Sequence, residues 1–271
     1  MKMSKLSLSR LFAILVLLFT LASCAQGFKI TTTIIPLAIG DSTVDLVLHE
    51  TGIPGLTYLN IHDDENTCVK AALDTIKKYG GRVFELQHGN KRNITFKLDD
   101  VTYEFDPNRI YNDGGIAATL ERFGPVNDDA IAAVRMFAEA LLQQVKPEDL
   151  IVFITLHNNE PRDNYSINLF TSGGSYAGDA QQVFVSKKSD PNDLYFVTDA
   201  SLFDILSQYD RNVVLQDNEN VADDGSLSVW SARHQIPYAN IEVQEGHRRV
   251  QAQMIKLLHD IYISSNTTSS P

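Results

Sequence analysis

Three short runs gather side chains able to do chemistry together. His62-Asp63-Asp64-Glu65 sets an imidazole and a carboxylate three residues apart, so on one turn or a tight loop both can face one point. Such a pair suits zinc, which imidazole nitrogen and carboxylate oxygen both bind at about 2.0–2.2 Å. The same spacing recurs at His157 and Glu160, so either pair alone also fits a solvated loop. His157 ends the most apolar run of the chain, where it is either a hydrogen-bonded strand-end residue or a third ligand. Two histidines and one glutamate leave a fourth position for water, the arrangement of catalytic zinc sites. The third run, Tyr238-Ala-Asn-Ile-Glu242-Val243, holds one carboxylate in an apolar context. Glutamate is rarely buried without a partner. A metal hydrolase needs a base that takes a proton from water and returns it to the leaving group, and Glu242 is the candidate. Glu245 and His247 compete with it, and a structural ion pair is the alternative. Between these runs, Asp106-Pro107-Asn108-Arg109 offers an amide and a guanidinium to a single anion, the latter as a bidentate fork.

The elements that must position these groups alternate in type. Strands are expected at 44–49, 57–61, 82–86, 93–97, 101–105, 148–156, 182–186, 212–215 and 238–243. Helices are expected at 66–79, 128–145, 200–209, 226–234 and 246–263. The continuous apolar run before His157 is that of a strand buried on both faces. This alternation predicts a single α/β domain with a mixed, mostly parallel central sheet flanked by helices, and ligands in such sheets sit at strand ends.

Charge narrows the partners. The formal charge is −11, and setting aside Lys2, Lys5 and Arg10 in residues 1–23, which contain no acid, leaves −14 on the rest. That surface repels phosphate backbones, which argues against nucleic acid. Residues 1–23 pair a basic start with an apolar stretch too short to span a bilayer, a signal-peptide pattern. The run Leu21-Ala22-Ser23-Cys24 resembles the bacterial lipobox, which implies lipidation of Cys24 and an extracytoplasmic, membrane-anchored protein. Residues 24–43 are expected to be a tether, 44–263 the folded domain and 264–271 a polar tail. With Cys24 lipidated, Cys68 has no disulfide partner and reads as a small buried residue.

In order, His62-x-x-Glu65, Asn108-Arg109, His157 and Glu242 resemble the zinc carboxypeptidase superfamily. They are closest to its compact branch of succinylglutamate desuccinylase and aspartoacylase, whose signature includes an Asp-x-Asn-Arg such as Asp106 to Arg109. The 95 residues from His62 to His157 suit that branch, and the resemblance spans about 44–263. It implies one zinc held by His62, Glu65 and His157, a substrate carboxylate held by Asn108 and Arg109, and Glu242 as general base. Asp63 and Asp64 stand where the family carries small residues, adding negative charge beside the metal. The family's carbonyl-polarising arginine has only Arg92 and Arg162 as candidates.

The expected activity is zinc-dependent hydrolysis of an amide bond next to a carboxylate, in a small peptide or acyl-amino acid. Its first rival is a catalytically impaired surface lipoprotein that binds such a ligand in the same pocket. A second is a serine hydrolase using Ser172 or Ser175 in the Gly-rich stretch 171–178, which lacks a Gly-x-Ser-x-Gly elbow and reads better as a flap over the site.

Overall fold

The computed structural model describes residues 27–160 and 165–264. The expected signal peptide (1–23), Cys24 and the terminal residues 265–271 lie outside that range.

The apolar runs form a nine-stranded mixed sheet, ordered β1-β2-β4-β3-β7-β11-β9-β10-β8. Its centre, β4 (Arg82–Gln87), β3 (Thr57–Asn60), β7 (Phe153–Asn159) and β11 (Tyr238–Gln244), is parallel. On one side β2 (Ser42–Glu50) and β1 (Thr31–Ile39) add antiparallel; on the other β9 (Leu194–Val197) runs antiparallel to β11, β10 (Val213–Gln216) parallel to β9, and β8 (Ala180–Phe184) antiparallel to β10. A separate hairpin, β5 (Ile94–Leu98) and β6 (Val101–Phe105), packs beside them.

Helices cover both faces because the central strands are apolar on both sides. One face buries α2 (Asp113–Phe123) and α3 (Asp128–Val145) through Leu120, Phe137 and Leu141, together with the hairpin residues Phe96 and Phe105. The other buries α1 (Asn66–Tyr79), α4 (Ala200–Gln208) and α6 (Arg248–His259) through Ile76, Leu206 and Ile255. A short α5 (Leu227–Arg233) precedes β11. α1 ends where Gly80 turns with φ +85°, and a side chain there would meet the Pro54 carbonyl at 2.8 Å. α3 starts on Asn127, whose Oδ1 accepts from Ala130 N at 2.7 Å, and stops at Lys146 before Pro147.

Part of the expected tether is instead folded. Residues 31–43 form β1 and the start of β2, paired over the whole length of β1. β1 is an edge strand burying only Leu37 and Ile39, so its pattern is faint, and its Pro36 is tolerated at an edge. β7 begins and ends later than expected, so His157 lies within the ladder and not after it. Residues 113–123, for which no element was expected, form a helix whose start is held by Asn112 Oδ1 accepting from Gly115 N at 2.6 Å. α6 ends at His259, with a single π turn beyond it.

Candidate metal centre

β3 and β7 are neighbours, but the chain leaves β3 toward β4 and leaves β7 toward the β11 side. Their carboxyl ends therefore open onto a crevice, where ligands bind in open α/β sheets. His62 follows β3, and its carbonyl accepts from Glu65 N at 3.1 Å in a turn that delivers Glu65 to the start of α1. Cys68 is buried and unbridged; its thiol donates to the Glu65 carbonyl at 2.9 Å, holding that turn.

The three predicted ligands converge. His62 Nδ1 lies 2.8 Å from Glu65 Oε1 and 3.1 Å from His157 Nδ1, and His157 Nδ1 lies 3.1 Å from Glu65 Oε2; all three residues are buried. A tetrahedral ion about 2.0–2.1 Å from each donor requires donors roughly 3.3 Å apart, close to this spacing. The carboxyl groups of Glu65, Asp106, Glu242 and Asp64 surround the Arg92 guanidinium, a strongly negative setting that favours a cation. His157 Nε2, the ring nitrogen turned away from that point, is buried without a hydrogen-bond partner among the described residues. The residues present fit a metal ion, and the nitrogen and carboxylate donors suit zinc.

Neighbouring groups orient this cluster. Asp106 Oδ1 accepts from His62 Nε2 at 2.9 Å, which turns the Nδ1 lone pair inward. The same oxygen accepts from Asn108 N at 2.8 Å, so one carboxylate fixes both the first histidine and the Asn-Arg turn. Glu65 accepts from Asn158 N at 3.0 Å and Arg92 Nη1 at 2.7 Å. Burial opposes ionisation of Glu65, but the two imidazoles overcome it and hold the carboxyl well below its usual range. Burial likewise opposes a charged His62, yet Glu65 and Asp106 push it up to about 9. For Asp106, His62 and Arg92 win over burial and lower it.

Glu242 pairs in register with His157 across β11 and β7, so their side chains stand beside each other on one sheet face. It is 8% exposed and accepts from Asn240 Nδ2 at 3.1 Å. Burial, helped by the Glu65 charge, raises its pKa. Glu245 is turned aside, accepting from Thr67 Oγ1 at 2.6 Å, and His247 stands by Asp193 in a different cavity.

Asn108 and Arg109 line a cavity of about 270 Å³ together with Asn240, the partner of Glu242. Asn108 Oδ1 accepts from Leu227 N at 3.2 Å, and Arg109 Nε stands 3.4 Å from Asp224 Oδ2. The loops bearing Arg109 and Asp224 cross so closely that a side chain on Gly225 would meet the Arg109 carbonyl at 2.7 Å.

Of the two acids between His62 and Glu65, Asp63 is a staple: its Oδ2 accepts from His88 N at 2.7 Å and Asn90 N at 2.6 Å, pinning the loop that carries Arg92. Asp64 is exposed. Arg92 therefore takes the place beside the cluster, while Arg162 lies outside the described residues. Ser172 and Ser175 are exposed, and no histidine among the described residues bonds to either; Tyr176 of the same stretch lines the cavity. The orienting roles of Asp106 and Asn158 had no sequence assignment, although Asp106 stood inside the motif and Asn158 beside His157.

Neither a protein-family model nor a curated protein sequence matches the chain. Among solved structures it is similar to a succinylglutamate desuccinylase/aspartoacylase from Shewanella frigidimarina, at 8% identity and a TM-score of 0.43, covering 86% of this chain and 71% of that one. It is also similar to a metallo-carboxypeptidase from Burkholderia cenocepacia, at 9% identity and a TM-score of 0.43, covering 94% and 68%. A third is the Legionella pneumophila LapA aminopeptidase, at 8% identity and a TM-score of 0.34, of which this chain spans about half (52%) while 88% of its own length is covered. At such identities no residue role passes from those proteins to this chain.

Proposed function

We propose that the chain is a zinc-dependent hydrolase of an amide bond adjacent to a carboxylate. The observation that carries this reading is the convergence of His62, Glu65 and His157 on one point, with Glu242 paired in register beside His157. Bound there, zinc supplies Lewis acidity toward the scissile carbonyl and lowers the pKa of water.

The protein's own residues supply the rest. Glu242 takes a proton from the attacking water and returns it to the leaving nitrogen, a double duty that its raised pKa suits. Arg92, whose side chain is 51% exposed at the rim of the cluster, offers guanidinium donors to the carbonyl oxygen as charge develops on it. Asn108 and Arg109 hold the substrate carboxylate, Arg109 exchanging part of its contact with Asp224. The leader and Cys24 extend the proposal: a lipid anchor outside the cytoplasm makes small peptides or acyl-amino acids there the substrates.

The test is hydrolysis of acyl-amino acids and short peptides by the zinc-loaded protein. A chelator is expected to abolish cleavage and zinc to restore it. Glu242→Gln is expected to keep its zinc and lose about 10²–10⁴ in rate. Full activity in that variant, or no cleavage by the loaded wild type, overturns the proposal.

A further inference from the structure

The cavity beside Glu242 has walls of three kinds. Asn108 and Arg109 present donors. Phe170 packs its ring 5.5 Å from Phe196 and 5.6 Å from Tyr176, forming an aromatic side. A third part presents acceptors, the carboxylates of Asp179 and Asp224 and the amide of Gln216, beside small apolar and hydroxyl side chains such as Val229 and Ser226.

Gln216 is informative because it is only 1% exposed and half satisfied. Its Nε2 donates to Asn218 Oδ1 at 3.0 Å and to the Ser228 carbonyl at 3.4 Å. Both partners accept only, so the orientation of the amide is fixed. Oε1 is left buried with no partner among the described residues. Buried polar atoms are almost always paired, so this oxygen calls for a donor that the described residues do not provide.

The charges ask for the same thing. Asp179 and Asp224 share one guanidinium, that of Arg109, and burial together with the Asp224 charge holds the Asp179 carboxyl above its usual range. Once Arg109 turns to a substrate carboxylate, both aspartates lose part of the one cation that the described residues bring to this cavity. A second positive charge, carried by the ligand itself, restores the balance.

We propose that this cavity is a subsite for a side chain ending in a primary ammonium or guanidinium, borne by the residue whose carboxylate Arg109 holds. Asp179, Asp224 and Gln216 Oε1 receive the cation, and the aromatic side covers the methylene stem. A volume of about 270 Å³ admits one long side chain. An acidic side chain meets two carboxylates there, and an aliphatic one leaves Gln216 Oε1 unpaired. The placement of the ligand's carboxylate rests on the hydrolase reading, while the demand for a cation rests on the cavity alone.

Calorimetric titration of the zinc-loaded full chain with Nα-acetyl-L-lysine, Nα-acetyl-L-norleucine and Nα-acetyl-L-glutamate tests this. Lysine is expected to bind at least about tenfold more tightly than norleucine, and glutamate most weakly. Asp179→Asn, at a half-buried site, and Gln216→Leu are each expected to remove about fivefold or more of the lysine affinity while norleucine changes by less than about twofold. Equal affinity for lysine and norleucine, parallel losses for both ligands in the variants, or no binding of any of the three overturns the subsite. Peptides differing only in that residue separate the two proposals. Cleavage without a lysine preference contradicts the subsite and leaves the hydrolase standing; lysine-selective binding without cleavage of any peptide does the reverse.

Discussion

The metal cluster and the cavity next to it share β11, joined through the Asn240–Glu242 bond, yet Glu65 in the one and Gln216 in the other are satisfied to different degrees. Around Glu65, each carboxylate oxygen has at least two partners, from His62 and Arg92 on one side and His157 and Asn158 on the other. Asn158 is equally saturated, accepting from Cys68 N and donating to the Val243 carbonyl and to Gln251 Oε1. The cavity keeps Gln216 Oε1 unpaired and two aspartates to one arginine. A saturated network fixes positions to within a fraction of an ångström, as an ion requires. An unsatisfied wall holds back interactions for a ligand that arrives from outside.

The largest effects are expected where the saturated side is cut. His157→Ala removes a ligand, and zinc retention on gel filtration should fall below a tenth of the wild-type content, with activity lost alongside it. Asp106→Asn keeps the shape but withdraws the carboxylate from His62 Nε2. Zinc affinity, measured by competition with a chelator, should fall about 10–100-fold.

Proton competition comes next. In the metal-free protein the folded-state pKa of His62 is raised to about 9, so its contribution to stability is complete below its unfolded value, about 6.5, and is lost as pH rises through about 9. Zinc displaces that proton. Its apparent affinity should therefore rise about tenfold per pH unit from 6.5 toward 9, with the thermal shift on adding zinc growing over the same window. A pH-independent shift would remove the proton from His62.

The smallest pair of effects contrasts the two regions directly. Asn158→Leu strands several buried partners and is expected to lower stability by about 2–4 kcal/mol in urea unfolding. Gln216→Leu removes the unpaired Oε1 together with two donated bonds, one to the exposed Asn218 and one long, and is expected to cost less, about 1–2 kcal/mol. Equal losses would mean that both regions are saturated.

The same contrast explains what the sequence made legible. His62 and Glu65 are three residues apart and His157 ends a continuous apolar run, so local spacing exposed all three. Helices 66–79 and 128–145 were equally plain from their stops, Gly80 and Lys146-Pro147. The His157–Glu242 register is set by strand pairing between residues 85 apart, and no local pattern encodes it. The cavity draws Arg109, Tyr176, Gln216, Asp224 and Asn240 from separate segments, each unremarkable in its own run. β1 was hidden for a different reason: an edge strand needs few apolar residues, and its threonines and Pro36 imitate a linker.

The most direct test of the metal centre is zinc X-ray absorption on protein loaded with one equivalent and passed through gel filtration. Retention of about one zinc per chain is expected, with only nitrogen and oxygen neighbours at about 2.0–2.2 Å and the outer-shell scattering of two imidazoles. That scattering should disappear in part, together with the tight binding, in His157→Ala. Zinc lost from the wild-type chain on the column, or held with a sulfur neighbour or without imidazole, would contradict a site built from His62, Glu65 and His157.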